Sequence, residues 1–368
     1  MKPMRPPEIF DNMDEMVCVN NLMNGYIQTV TGKITPDQLG KTITHEHLLW
    51  DQSCYWKPEP LEPTEKKFVH EPVSSGMMHK LYYNIHQNHD NTTQFDVDLA
   101  ISEANYFKRV GGNTIIDVTS IGLGRDPSAL AEISRMTGLN IVMGCGYYTL
   151  TSHPQQVREM SKTQIADEII REFHEGMTYH KIKPGIIGEI GITSIAHEEE
   201  IKVLRGAAIA QKETGLPLSI HPCGEDGGKI LDIVEEEGGD ISRVVMCHCD
   251  MVHDKVDYID YVAKRGAFIE FDTFGYDNPI GSGDNIIWLP RDIDRIIAIK
   301  KQIDLGNLSQ IVVSHDIAFK ACLVKYGGFG YGHILRDLPV YMNNKGITNQ
   351  DIDTILTDNP KRLLTITS

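Results

Sequence analysis

Short apolar runs recur along the chain, and each gives way to polar residues at its C-terminal end: 41–46, 113–119, 139–145, 184–190, 217–221, 243–248, 266–272 and 310–315. Runs this short and this rich in Ile and Val read as buried strands. Between them the pattern changes to a helical period. Ser161 and Gln164 can form a capping box ahead of Ile165, Ile169, Ile170 and Phe173. Glu198, Glu199 and Glu200 stand where a helix dipole favours negative charge, and Gly215 closes that helix after Lys212. Pro127 opens a third helix, with Leu130, Ile133 and Met136 on one side and Gly138 as its stop. Alternating strands and helices with eight strands predict a closed parallel (β/α)8 TIM barrel. A doubly wound open sheet would have the same local periodicity.

The polar residues at the strand ends favour closure. His45 and His47, in Thr42-Ile43-Thr44-His45-Glu46-His47, are one residue apart, so alternation turns both imidazoles to one side. Glu189, His221, His248 and Asp316 each end a later apolar run. Singly, each has an ordinary explanation as a hydrogen-bonded histidine, an ion-paired glutamate or a helix cap. Jointly they form six candidate metal ligands on strands one, four, five, six and eight, which meet only if the sheet curls around one axis. Imidazole and carboxylate groups suit zinc and similar divalent ions that activate water.

Two stretches break the rhythm. Residues 1–35 form an N-terminal extension in which Gly32-Lys33-Ile34-Thr35 resembles a short hairpin over the barrel bottom. Residues 50–95 are a long insertion after strand one, carrying Trp50, Trp56, Pro58, Pro60, His79, Tyr82, Tyr83, His86 and His89. Loops after barrel strands build the active-site face, so this insertion is expected to shape a substrate pocket, its histidines lining that pocket or solvated.

Composition narrows the function classes. The chain has 368 residues, 41% hydrophobic and 23% charged, with a formal charge of −16. That charge disfavours nucleic acid and anionic membranes as partners, and no run approaches a membrane span. Met1 to Met13 lack an apolar signal core, so the expected location is cytoplasmic. The seven cysteines (Cys18, Cys54, Cys145, Cys223, Cys247, Cys249 and Cys322) are odd in number and fit free thiols. In Cys247-His248-Cys249, alternation is expected to turn both thiols outward, opposite His248.

These residues carry a resemblance to the amidohydrolase superfamily, and within it to the phosphotriesterase-like family, including its phosphotriesterase-related and lactonase members. It runs from about Gly32 to Leu364 through Thr44-His45-Glu46-His47, Gly124-Arg125-Asp126-Pro127, Gly144-Cys145-Gly146-Tyr147-Tyr148 and Gly188-Glu189-Ile190-Gly191. It continues through Ile220-His221-Pro222, His248-Cys249-Asp250, Phe271-Asp272-Thr273-Phe274-Gly275, Ser314-His315-Asp316 and Asn359-Pro360-Lys361-Arg362-Leu363-Leu364. The resemblance implies a distorted (β/α)8 barrel with two divalent ions, usually Zn2+, with Mn2+, Co2+ or Fe2+ as alternatives. His45, His47 and Asp316 would hold the more buried ion, and His221 and His248 the more exposed one. Glu189 falls where many members carry a bridging carboxylated lysine.

The expected activity is hydrolysis of a lactone or carboxylic ester by hydroxide held at the binuclear centre, with Asp316 moving the proton to the leaving group. Tyr147 or Tyr148 would orient the leaving oxygen. Arg125, Lys320, Lys325, Tyr331 and His333 are candidate substrate contacts, although Arg125 fits a scaffold ion pair equally well. The alternatives are an amidase acting on N-acyl amino acids, phosphotriester hydrolysis as a side activity, and a non-catalytic binding protein. The expected partner is a small molecule, and the resemblance allows a homodimer. A single barrel domain over 1–368 is the expected organisation.

Overall fold

The computed structural model describes residues 25–57, 66–222, 224–282 and 285–367. The chain start, Cys18, Cys223, Pro58 and Pro60 lie outside the described residues. A hairpin of β1 (Ile27–Thr29) and β2 (Gly32–Ile34) precedes β3 (Thr42–Glu46). β4 (Trp50–Asp51) then pairs antiparallel with β5 (Thr93–Gln94), forming a neck that closes the insertion. After helix α1 (Val97–Arg109) come β6 (Thr114–Asp117), α2 (Pro127–Thr137), β7 (Asn140–Met143) and α3 (Lys162–Glu175). Next are β8 (Ile187–Ile192), α4 (Glu198–Thr214), β9 (Leu218–Pro222), α5 (Gly227–Glu236), β10 (Val244–Met246) and α6 (Val256–Lys264). β11 (Phe268–Phe271) leads to a hairpin of β12 (Pro279–Ser282) and β13 (Asn285–Trp288), then α7 (Asp292–Asp304), β14 (Ile311–Val313) and a terminal α8 (Asn359–Leu364).

All eight apolar runs contain strands, and their parallel pairings follow chain order: β3-β6-β7 in one arc and β8-β9-β10-β11-β14 in the other. Two seams join the arcs into a distorted (β/α)8 barrel. At one, Gly185 N donates to Met143 O (2.9 Å) and Gly188 N to Cys145 O (2.7 Å). At the other, Asp316 N donates to His45 O (3.0 Å) and His45 N to Ser314 Oγ (2.8 Å). The second seam ties the strand of the first candidate ligands to the loop of the last.

The strands β10, β11 and β14 divide their residues between two cores. Val244, Met246, Ile269, Phe271, Ile311 and Val313 face the helix layer, whereas Val245, Phe268 and Val312 turn to the other side and pack with Leu363 of α8. The hairpin closes the bottom, where Ile27 packs with Ile116, Val142, Ile186 and Leu364. Local helix signals operate as read: Ser161 and Gln164 make a reciprocal capping box, Gly138 and Gly215 take left-handed caps, and the Asp126 side chain accepts from Ala129 N. Met136 departs from expectation. It is 67% exposed, because Leu130, Ile133, Ser134 and Thr137 occupy the i, i+3, i+4, i+7 stripe of α2.

Candidate metal centre

The six strand-end candidates converge at the C-terminal mouth. Glu189 stands between two histidine pairs. Its Oε1 lies 3.4 Å from His45 Nε2 and 3.8 Å from His47 Nε2, and its Oε2 lies 2.7 Å from His221 Nδ1 and 3.4 Å from His248 Nε2. Asp316 Oδ1 is 3.3 Å from His47 Nε2 and 3.8 Å from His45 Nε2. With 23% of its side chain exposed it shares the open side of the group with His221, at 21%, while the other four are buried.

Local backbone geometry produces this convergence. Gly188 adopts φ +124°, and a Cβ there would stand 2.4 Å from Ser219 O, so only glycine lets β8 approach β9 at this point. His248 (φ +55°) and Asp316 (φ +51°) occupy the left-handed region, which disfavours non-glycine residues by about 1 kcal/mol. His248 therefore turns into the mouth one residue after Cys247, which points into the barrel with its Sγ 3.1 Å from Ser219 Oγ. This corrects the expectation that both thiols face outward. β10 ends at Met246, the left-handed turn breaks the alternation, and only Cys249 lies in the outer layer.

The far nitrogens of three imidazoles are anchored. His45 Nδ1 lies 3.1 Å from Glu270 Oε2, His47 Nδ1 2.9 Å from Thr119 Oγ1, and His248 Nδ1 2.8 Å from Asp272 Oδ1. Such partners fix the ring and leave Nε2 for a cation. Glu270 and Asp272 were not singled out as site residues from the sequence. The available signal was two carboxylates alternating with Ile269 and Phe271 inside a buried strand, where each needs a partner. Glu46, between the two histidines, was missed too. It accepts from Ser314 Oγ (2.8 Å), His315 N (2.9 Å) and Ile317 N (3.1 Å), so it holds both flanks of Asp316.

The electrostatics are those of a cation cradle. Burial alone would raise the Glu189 carboxyl, but His45, His221 and His248 hold it well below the usual carboxylate range. Burial would lower His45, yet Glu189 raises it well above an ordinary imidazole. Burial also opposes the charged form of His248, and Asp272 overrides it. His221 is lowered, by burial and by His248. His45 Nε2 is buried with no hydrogen-bond partner, and His221 Nδ1 approaches His248 Nε2 to 2.6 Å. An orphaned imidazole nitrogen and two crowded ring nitrogens around a carboxylate fit a pair of divalent cations. His45, His47 and Glu189 form one group with ligand spacing, and Glu189, His221 and His248 another.

The remaining candidates divide. Tyr148 reaches the centre, its hydroxyl 3.3 Å from His221 Nδ1, and its loop lies so close to β8 that a Cβ on Gly191 would stand 2.4 Å from Thr149 N. Tyr147 points the other way into the helix layer, edge-on to His153. Arg125 makes a bidentate pair with Glu172 (2.7 and 3.0 Å), so its guanidinium is committed to the scaffold. Lys320 binds Asp90 of the insertion (2.6 Å), and the exposed Lys325 is held by its backbone amide on Glu103 Oε1 (2.9 Å). Tyr331 donates from below to His47 O (2.6 Å). His333 is clasped between Asp292 and Asp337, each 2.7 Å away, under the Phe329 ring. Of these five only Tyr331 touches a candidate ligand, and it does so through the His47 backbone carbonyl.

Fold and ligand set together define a metal-dependent hydrolase of the amidohydrolase superfamily, with a binuclear metal-binding site bridged by Glu189. The sequence matches the phosphotriesterase family over residues 25–364, and the chain belongs to that family. It is 36% identical to the N-acetyltaurine hydrolase of Salmo salar, covering 93% of this chain and 99% of that protein. It is 38% identical to the N-acetyltaurine hydrolase of Dictyostelium discoideum, covering 93% and 98%. Among solved structures it is similar to a resiniferatoxin-binding protein from Rhodobacter sphaeroides, with a TM-score of 0.89 and 39% identity over 94% of this chain and 96% of that one. Among the described residues, no helix is long and apolar enough to cross a membrane.

Proposed function

We propose that this enzyme hydrolyses the amide bond of a small N-acylated amino acid or aminosulfonic acid. The observation carrying this reading is the near full-length similarity to relatives named for an N-acyl amine substrate, on a chain with the whole ligand set. It displaces the expectation of a lactone or ester substrate, since the relatives' activity favours the amide alternative. Zinc is the proposed metal, because four imidazoles and two carboxylates suit a borderline cation. Two such ions would polarise the acyl oxygen and make water acidic near neutral pH.

The chain's own residues would then manage the proton. An amine is a poor leaving group until its nitrogen is protonated. Asp316, on the open side of the cluster, is suited to take the proton from water and deliver it to that nitrogen. The His45 carbonyl that accepts from Asp316 N and the Glu46 carboxylate beneath its loop fix the acid's position. The Tyr148 hydroxyl, beside His221, would steady the substrate's polar oxygen.

The test is a hydrolysis panel of N-acyl amino acids, N-acyl aminosulfonic acids, lactones and aryl phosphotriesters with metal-quantified protein. Turnover of the N-acyl amines should exceed that of the other classes. Preferential opening of lactones would overturn the reading.

A further inference from the structure

The first turn of α4 does more than complement a helix dipole. Glu199 and Glu200 both hold the loop that follows β7, where Tyr148 stands. Glu200 is buried and accepts from Leu150 N (2.9 Å) and Thr193 N (2.8 Å). Glu199 reaches the same loop through an imidazole. Its Oε1 lies 2.7 Å from His153 Nδ1, and His153 Nε2 lies 2.7 Å from the Tyr148 carbonyl oxygen. The His153 side chain is 1% exposed.

Both groups that meet His153 are acceptors, one a carboxylate and the other a main-chain carbonyl. Both ring nitrogens therefore donate, and a half-turn of the ring would forfeit both contacts. A short, charge-assisted contact to Glu199 on one side makes the buried ring a stiff brace for the carbonyl on the other. That carbonyl belongs to the residue whose hydroxyl lies 3.3 Å from His221 Nδ1. Tyr147 meets the His153 ring edge-on at 6.2 Å and lies in the helix layer. His153 thus stands where two adjacent tyrosines part, one toward the helices and the other toward the metal centre.

We propose that His153 is the positioning residue for Tyr148: braced on Glu199, it fixes the Tyr148 carbonyl and so aims the phenol at His221 and the substrate's polar oxygen. The assignment rests on the reading above in one respect, that the Tyr148 hydroxyl meets the substrate. Without the imidazole the loop stays attached through Leu150 N on Glu200 and through the Thr149 and Tyr55 hydroxyls. The fold is kept, and the phenol loses its aim.

The test is a double-mutant cycle on the metal-loaded full chain, with metal content measured for every variant. Turnover is read on whichever class of the hydrolysis panel the wild type accepts. His153→Leu should lower kcat about 5- to 10-fold, approaching the effect of Tyr148→Phe, with full metal content. In the Tyr148→Phe background the same change should cost less than about twofold, because the hydroxyl it aims is gone. His153→Gln, whose amide nitrogen can donate to the same carbonyl, should recover most of the loss. Glu199→Ala removes the brace and keeps the ring; it should lower kcat about 2- to 5-fold, and it replaces His153→Leu in the cycle if that variant does not fold. A second measurement needs no turnover: NMR of protein whose tyrosines carry carbon-13 at Cζ, the Tyr148 signal being identified by its loss in Tyr148→Phe. That signal should move in His153→Leu and return toward its wild-type position in His153→Gln. Unchanged kcat in His153→Leu, losses that multiply in the double variant, or a Tyr148 signal that stays in place would overturn the assignment. Lactone opening in place of amide hydrolysis, with the cycle non-additive, removes the amide reading and keeps His153 in its role. Amide hydrolysis with multiplying losses does the reverse.

Discussion

The floor of the site and the wall around it are built on different principles. On the floor, the candidate ligands stand within or just past the barrel strands, Glu189 inside β8 itself, and buried carboxylates or hydroxyls fix three imidazoles: Glu270 under His45, Asp272 under His248, Thr119 under His47. In the wall, polar side chains are spent on holding loops to one another. Lys320 ties the insertion by Asp90, Glu103 accepts Val324 N and Lys325 N, and Arg125 pairs with Glu172. A charged residue near an active site therefore has two very different meanings. On the floor its loss removes chemistry; in the wall it removes stiffness.

The contrast can be broken at graded points. The largest effect belongs to the floor. Chelation should take hydrolysis to background, with recovery on adding a divalent ion. Asp316→Asn should retain the metals yet lower kcat about 100- to 10,000-fold; near-normal turnover with full metal content would remove Asp316 from proton transfer. One layer down, Asp272→Asn should weaken metal affinity or activity about 10- to 100-fold, read by metal competition, and an unchanged affinity would mean that the contact to His248 is incidental.

At the border between floor and wall, the adjacent tyrosines provide an internal control. Tyr148→Phe should lower kcat about 10-fold, whereas Tyr147→Phe should leave it within about twofold, since its ring lies in the helix layer; reversal of that order would contradict the geometry. In the wall, Arg125→Met leaves Glu172 without its partner and should destabilise by about 3 kcal/mol in denaturant unfolding, with KM unchanged. A raised KM without lost stability would return Arg125 to the substrate. The smallest effect is expected from Lys320→Ala, whose partly exposed pair with Asp90 should contribute no more than about 1 kcal/mol.

The amino-acid order determined all eight strands, the helix caps at Ser161, Gly138 and Gly215, and the six residues that converge at the mouth, because alternation, capping and apolar-to-polar breaks are local physics read within a few residues. His45 and His47 share a face for that reason alone. The same alternation misplaced Cys247, since the left-handed turn at His248 follows from what packs around the strand end and not from the residues in it. Arg125, Lys320 and Tyr331 carried site-like chemistry in the sequence, and only the folded chain assigned them Glu172, Asp90 and the His47 carbonyl. Those partners lie 47, 230 and 284 residues away along the chain. A charge or hydroxyl takes whichever partner the tertiary structure brings within reach, and no local pattern records that choice.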